Sequence, residues 1–171
     1  DEFFTEFVDV CVQTLAGIAG CVWLKQRNES LILRYHSNFS KTGLTVSSDS
    51  PDDRLHAQLL QRVLSESTGQ GLALPPHVAA EGESQALHNP TTHLLLLSPI
   101  TINGETTGLV EVFQRANASH AASQGFLRFL DSVAQLAADF IRNSRFREMK
   151  LQADVAARFE QFTQRIHEGL D

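Results

Sequence analysis

The chain has 171 residues, 42% hydrophobic and 20% charged, which is ordinary for a soluble globular protein and enough to bury a substantial core. Its formal net charge of −6 argues against a partner gripped mainly through nucleic-acid phosphates. No apolar run nears the ~20 residues that span a bilayer, and the only cysteines, Cys11 and Cys21, argue against a disulfide scaffold and for a reducing, cytoplasmic setting.

The opening "DEFFTEFVDV" is acidic and is no signal peptide. It lacks an initiator Met, so a piece of a longer protein is expected, one compatible with membrane association. Asn28, Asn38 and Asn117 fall in N-x-S sequons, read as chance matches without a secretion signal. Residues 3–16 predict a helix, because Phe4, Phe7, Val8, Cys11 and Leu15 share one face. Cys11 then reads as a small core residue. "GCVWLKQRNESLILRYHSNF" predicts a hairpin of two β-rich runs around the polar "RNES". "CVWL" is apolar at consecutive positions, so both faces of that strand should be covered.

Residues 40–54 read as a polar turn region. A helix follows in "RLHAQLLQRVLSEST", with its stripe at Leu55, Leu59, Leu60, Val63 and Leu64. "GLALPP" predicts a short strand stopped by Pro75 and Pro76, and residues 77–93 a loop. "HLLLLSPITINGETTGLVEVFQR" is the strongest β signal: two strands about Asn103-Gly104, a dipeptide suited to the positive φ of a tight hairpin. From about Ser123 a long helix is predicted. Its stripe holds Phe126, Phe129, Leu130, Val133, Leu136, Ala137, Phe140 and Ile141, thins past Arg142, and resumes at Met149, Val155, Phe159, Phe162, Ile166 and Leu170. These elements imply an α+β fold, an antiparallel sheet flanked by helices, with a long C-terminal connector helix.

This order resembles a GAF domain, the PAS-like regulatory module of signalling proteins. "GIAGCVWLKQRNESLILRY" is similar to the family's first hairpin, "SPITINGETTGLVEVF" to its late hairpin, and "GFLRFLDSVAQLAADFIRN" to its closing helix. "HAQLLQRVL", "NPTTHLLLLSPI" and "GFLRFLDSVAQLAADF" further resemble a bacterial subgroup whose GAF domains precede an HlyD-like efflux-adaptor region. Residues 1–145 are thereby expected to form a GAF domain. Residues 146–171 are expected to be a connector helix or the first helix of a following GAF-like domain. The second option rests on a gapless match of Phe4, Phe7, Cys11 and Leu15 to Phe159, Phe162, Ile166 and Leu170. Spacings at Val155, Phe159, Phe162 and Ile166 fit a coiled-coil seam, so a homodimer through that helix is expected.

The resemblance implies a small-molecule pocket on one sheet face and the loops above it. It names no cofactor. Residues 22–171 hold no cysteine, which argues against a thioether-linked bilin and against the family's methionine sulfoxide reductases. The asparagine-lysine start of the cyclic-nucleotide signature is absent, which disfavours cyclic nucleotides. The seven histidines show no metal-motif spacing. His77, His88 and His93 fall in or beside the loop expected to roof the pocket, where a solvated role is the plain alternative to a ligand contact. No catalytic group is legible, so no enzyme is expected.

The candidate ligand-binding residues are Trp23, Tyr35, His93, Glu111 and Phe113. Alternation puts Leu109, Glu111 and Phe113 on one face of the last strand. Glu111 would either accept hydrogen bonds from a ligand, lie on a partly solvated face, or pair with Arg34 or Lys25. Trp23 would be a pocket wall or plain core. Two functions follow: a sensor that binds a small molecule non-covalently and signals through its exit helix, or a structural dimerisation module with a filled pocket. Closed packing by Trp23, Phe113 and the leucines of 94–97 would favour the second.

Overall fold

The first helix, α1 (Glu2–Thr14), buries the expected stripe of Phe4, Phe7, Val8 and Cys11, and Leu15 is buried just beyond its end. The computed structural model describes residues 2–46, 50–76, 88–117 and 120–168, with the side chains of 122–161 in the last helix. The hairpin of β1 (Ala19–Lys25) and β2 (Leu31–Ser37) follows, then a 3₁₀ helix (Phe39–Thr42), α2 (Pro51–Glu66) and β3 (Leu72–Leu74). The strands β4 (Leu94–Ile102) and β5 (Glu105–Gln114) lead into α3 (His120–Glu168). The α+β fold expected from the sequence is the one observed.

The strands form one antiparallel sheet in the order β2-β1-β5-β4-β3. Asn103 (φ 53°) and Gly104 (φ 82°) make the predicted tight turn between β4 and β5. Pairing β1 with β5 sets Cys21 opposite Glu111 and Trp23 opposite Leu109, while β4 sets Leu97 opposite Glu111. Opposed residues share a face. One face therefore carries Cys21, Trp23, Leu95, Leu97, Leu109, Glu111 and Phe113, and α2 covers it with Leu59, Leu60 and Val63. The other face meets α1, where Val8 and Val12 crowd Gly20, and the start of α3, where Asp131 accepts from Ser98 Oγ at 2.6 Å.

A bulge in β2 interrupts the alternation. Val22 faces Tyr35 but Trp23 faces Leu33, so Arg34 is an extra residue. Leu33 accordingly lies on the α2 face, whereas Tyr35 turns to the α1 face and stacks on Phe4 at 4.8 Å.

Three local expectations need correction. Helix α2 begins at Pro51, three residues before the predicted start, because Ser50 accepts a hydrogen bond from the Asp53 amide as an N-cap and Pro51 suits the first helical turn. The turn region of 40–54 is therefore shorter, and it opens on the 3₁₀ helix whose Phe39 packs edge-on against Trp23 and Phe113. On α2 the buried stripe starts at His56, while Leu55 is 42% exposed. On α3 the predicted Leu130, Ala137 and Ile141 are buried, together with Ser123, Leu127, Ala134 and Ala138, while Leu136 turns to solvent at 61% exposure.

Asn89 ties the end of the 77–93 segment to the sheet; residues 77–87 of the predicted loop, His77 among them, lie outside the described residues. Its Nδ2 donates to the carbonyls of Leu74 and His93, and its Oδ1 accepts from the amide and hydroxyl of Thr91. All this occurs at 1% exposure. Asn89→Ala strands these buried groups and is expected to cost about 3 kcal/mol, at ~1–3 kcal/mol for each group left unpaired. A lower urea midpoint with unchanged slope is the measurement.

The chain divides into two units, Asp1–Ala137 and Ala138–Asp171. The first holds the sheet, α1, α2 and the opening turns of α3; the second is the remainder of α3. In the second unit Phe146, Met149, Val155 and Phe159 are 59–70% exposed. The predicted stripe positions Phe162, Ile166 and Leu170 lie outside the described side chains. No described helix is long and apolar enough to cross a membrane.

Candidate ligand site

Glu111 sits in the central strand with no exposure at all. A buried carboxylate requires hydrogen-bond donors, and two arrive from different elements. Trp23 Nε1, one strand away, donates to Oε2 at 2.8 Å; His56 Nε2, reaching down from α2, meets Oε1 at 2.7 Å. Neither Arg34 nor Lys25 supplies the partner weighed from the sequence. Lys25 instead bridges Glu29 at 2.8 Å and Glu105 at 2.9 Å on the hairpin surface.

Burial by itself would pull the His56 imidazole down. The charge and hydrogen bond of Glu111, helped by the charge of Asp53, outweigh that and raise it above the usual histidine value. The rings of Trp23 and Phe113 lie 5.8 and 6.2 Å from the His56 ring. The sheet centre is thus wired to α2 through a buried carboxylate–imidazole contact packed among aromatics.

A cavity of about 430 Å³ opens beside this network, between β2 and α2. That volume is within the usual range of ~300–1,000 Å³ for small-molecule sites. The cavity exists because β2 is an edge strand and α2 lies mainly over the sheet's middle, leaving Leu31 and Leu33 only partly covered. Its floor is Trp23, Leu31, Leu33 and Leu60; its polar groups include Thr45, Asp53, Arg54 and His56. Asp53 is committed: Oδ1 accepts from the Thr45 amide, and Oδ2 accepts from the hydroxyls of Thr45 and Ser50.

Of the candidate residues, Trp23 lines the cavity and Glu111 lies directly behind it, bound to Trp23 and His56. Phe113 is fully buried and belongs to the core cluster. His93 sets its ring edge-on to Phe113 at 6.4 Å, away from the cavity lining. Tyr35 is on the opposite face, with α1. His88 is described but does not line the cavity. His56, Arg54 and Asp53 were not singled out from the sequence. The available signal was position: His56 precedes Leu59, Leu60 and Val63 at helical spacing, a titratable residue on an apolar stripe.

Cys11 and Cys21 are both buried, with the Cys11 thiol pushed up to about 12 by burial and that of Cys21 raised by burial and by Glu111. Neither is a nucleophile at neutral pH. Among the described residues no cluster of histidine, cysteine and carboxylate side chains is arranged to hold a metal ion.

The fold is that of GAF domains. No protein-family model and no curated protein matches the sequence; the likeness is structural. The GAF domain of A. aeolicus nlh2 in an inactive state superposes with a TM-score of 0.59 at 16% identity, over 84% of this chain and 85% of that one. The GAF domain of a phosphoenolpyruvate-protein phosphotransferase from Coxiella burnetii gives 0.57 at 13% identity, over 86% and 85%. A type II free methionine-R-sulfoxide reductase from Thermoplasma acidophilum gives 0.54 at 13% identity, over 83% and 92%.

Proposed function

We propose that this chain is a regulatory GAF-type module that holds a small molecule non-covalently in the cavity between β2 and α2. The observation that carries the reading is the shared use of Trp23 and His56. Both line the cavity, and both hold the buried Glu111 at the sheet centre. An occupant that displaces either side chain must also disturb the middle strand and α2, which couples binding to the rest of the module. A signal would leave through the exit helix. No enzymatic activity is part of the reading.

A second reading is a dimerisation module without a ligand. It is favoured by the dense packing of Trp23, Leu95, Leu97 and Phe113 over the sheet centre, and by the exposed Phe146, Met149, Val155 and Phe159 of α3, which would pair with a second copy. In both readings residues 1–145 are the GAF unit and 146–171 a connector or the start of a second such unit. The narrower kinship with GAF domains that precede an HlyD-like region rests on the three sequence stretches named above.

Native mass spectrometry of the purified chain separates the two. The expected spectrum contains a bound small-molecule mass that is lost in Ala57→Phe, a substitution that fills the cavity from an exposed helix position. Bare dimers, identical in both proteins, would sink the ligand reading.

A further inference from the structure

The polar lining of the cavity is unequal. Ser30 Oγ is engaged with Gln26 and Asn28, Gln61 Nε2 donates to the Glu29 carbonyl, and both oxygens of Asp53 are occupied. The cationic lining groups are Arg54, which already has an interaction of its own, and His56. His56 spends Nε2 on Glu111 at 2.7 Å, and its Nδ1 meets no hydrogen-bond partner among the described residues. The rest of the lining is largely apolar, with Trp23, Leu31, Leu33 and Leu60 at its base. This is a slot for an apolar body whose head is an acceptor.

We propose that the cavity selects small monocarboxylates with an aromatic or aliphatic body, and that such a ligand binds together with a proton on His56. The inference rests on the reading of this cavity as the ligand site. The chemistry follows from the ring. With Nε2–H committed to the Glu111 carboxylate, neutral His56 presents a bare lone pair at Nδ1, which repels a carboxylate. Protonated His56 presents an N–H there, which donates to one. The ion pair with Glu111 leaves the protonated ring nearly neutral as seen from the sheet, so the ligand's charge is met by Nδ1–H and by Arg54.

The other groups around His56 do not compete. Cys21, opposite Glu111 on β1, stays a thiol. Asp53, one turn back on α2, is saturated by Thr45 and Ser50, and Lys25 at the far end of β1 is held by Glu29 and Glu105. Trp23 and Phe113, the rings nearest His56, carry no charge.

Trp23 is the sole tryptophan and lines the cavity, so its fluorescence reports occupancy. The experiment titrates benzoate and hexanoate, with benzamide as the uncharged match, against the full chain from pH 6 to 8.5. Benzoate is expected to change the emission saturably, and benzamide to bind at least ~10-fold more weakly, as for a charged hydrogen bond worth ~1.5–3 kcal/mol. Benzoate affinity should fall as pH rises through the His56 titration, by up to about tenfold per pH unit for one linked proton. His56→Gln should abolish the pH dependence. Should that variant fail to fold, Arg54→Ala, at an exposed position, should weaken benzoate at every pH while leaving the pH slope intact.

Benzamide binding as tightly as benzoate, or a benzoate affinity independent of pH, overturns the proposal. If neither acid binds but another small molecule is held and is lost in Ala57→Phe, this inference fails and the ligand site stands. If nothing binds and Ala57→Phe changes nothing, both fail.

Discussion

Glu111→Ala is expected to lower the unfolding free energy by roughly 3–5 kcal/mol, the usual cost of breaking a buried ion pair from one side. The loss has two parts. Trp23 Nε1 and His56 Nε2 both lose their acceptor at the sheet centre, and a cavity opens between Leu97 and Cys21, the residues opposite Glu111 on its two neighbouring strands. Glu111→Gln should cost less, because the amide still offers an oxygen to Trp23. Replacing Glu111 and His56 together by leucine should recover much of the loss, since a well-packed apolar pair often matches a buried ionic one. Urea unfolding followed by circular dichroism ranks the three variants.

The pH dependence of the same variants carries a sign that packing alone does not. In the parent, His56 titrates above its ordinary value, so its pairing energy is fully present below the unfolded histidine value. That energy is lost as pH rises through the raised, folded value. Without Glu111, burial remains as the main influence and pulls His56 down. Glu111→Ala should then be destabilised further by mild acid, where the parent keeps its pairing energy. Matching pH profiles in parent and variant would count against the ion pair.

The second large effect is expected at Gly108. A Cβ there would lie 2.4 Å from the Trp23 carbonyl oxygen and 2.9 Å from Leu24 Cδ2, against backbone that cannot swing aside. The β1 and β5 strands must part to admit it. Gly108→Ala is therefore expected to cost about 3 kcal/mol, at the upper end of ordinary overpacking, and to shift Trp23 emission because the indole moves with its strand. Gly104→Ala is the control. That turn glycine sits at φ +82° with open space around its Cβ position, so only the conformational penalty of ~1 kcal/mol applies.

Much of this architecture is legible in the residues. The helices, the Asn103-Gly104 turn and the face shared by Leu109, Glu111 and Phe113 all follow from spacing, because side-chain periodicity is a local property. The site is less legible because it depends on what crosses between elements. Glu111 stood out as an acid in an apolar strand, but its partner lies 55 positions away in sequence. Hydropathy prefers Leu55 over His56 for the buried side of α2, but the spacing to Leu59, Leu60 and Val63 puts His56 on the buried stripe, where it meets the carboxylate beneath. Tyr35 sits two positions from Leu33, which in a regular strand means the same face; the bulge at Arg34 separates them. Asn89 reads as an ordinary loop residue until its four hydrogen bonds are traced.

The bulge has a consequence for how such a pocket diversifies. Because β2 has a hydrogen-bonded neighbour on one side only, the extra residue can migrate along the strand without breaking a second ladder. Shifting it beyond Tyr35 would reverse that residue's parity and swing a phenol toward the sheet face that carries Trp23. The wall of the cavity is thus set by where a single unpaired residue is parked as much as by which side chains the strand contains. Sliding that residue would change the lining of the cavity with the composition of the strand unaltered.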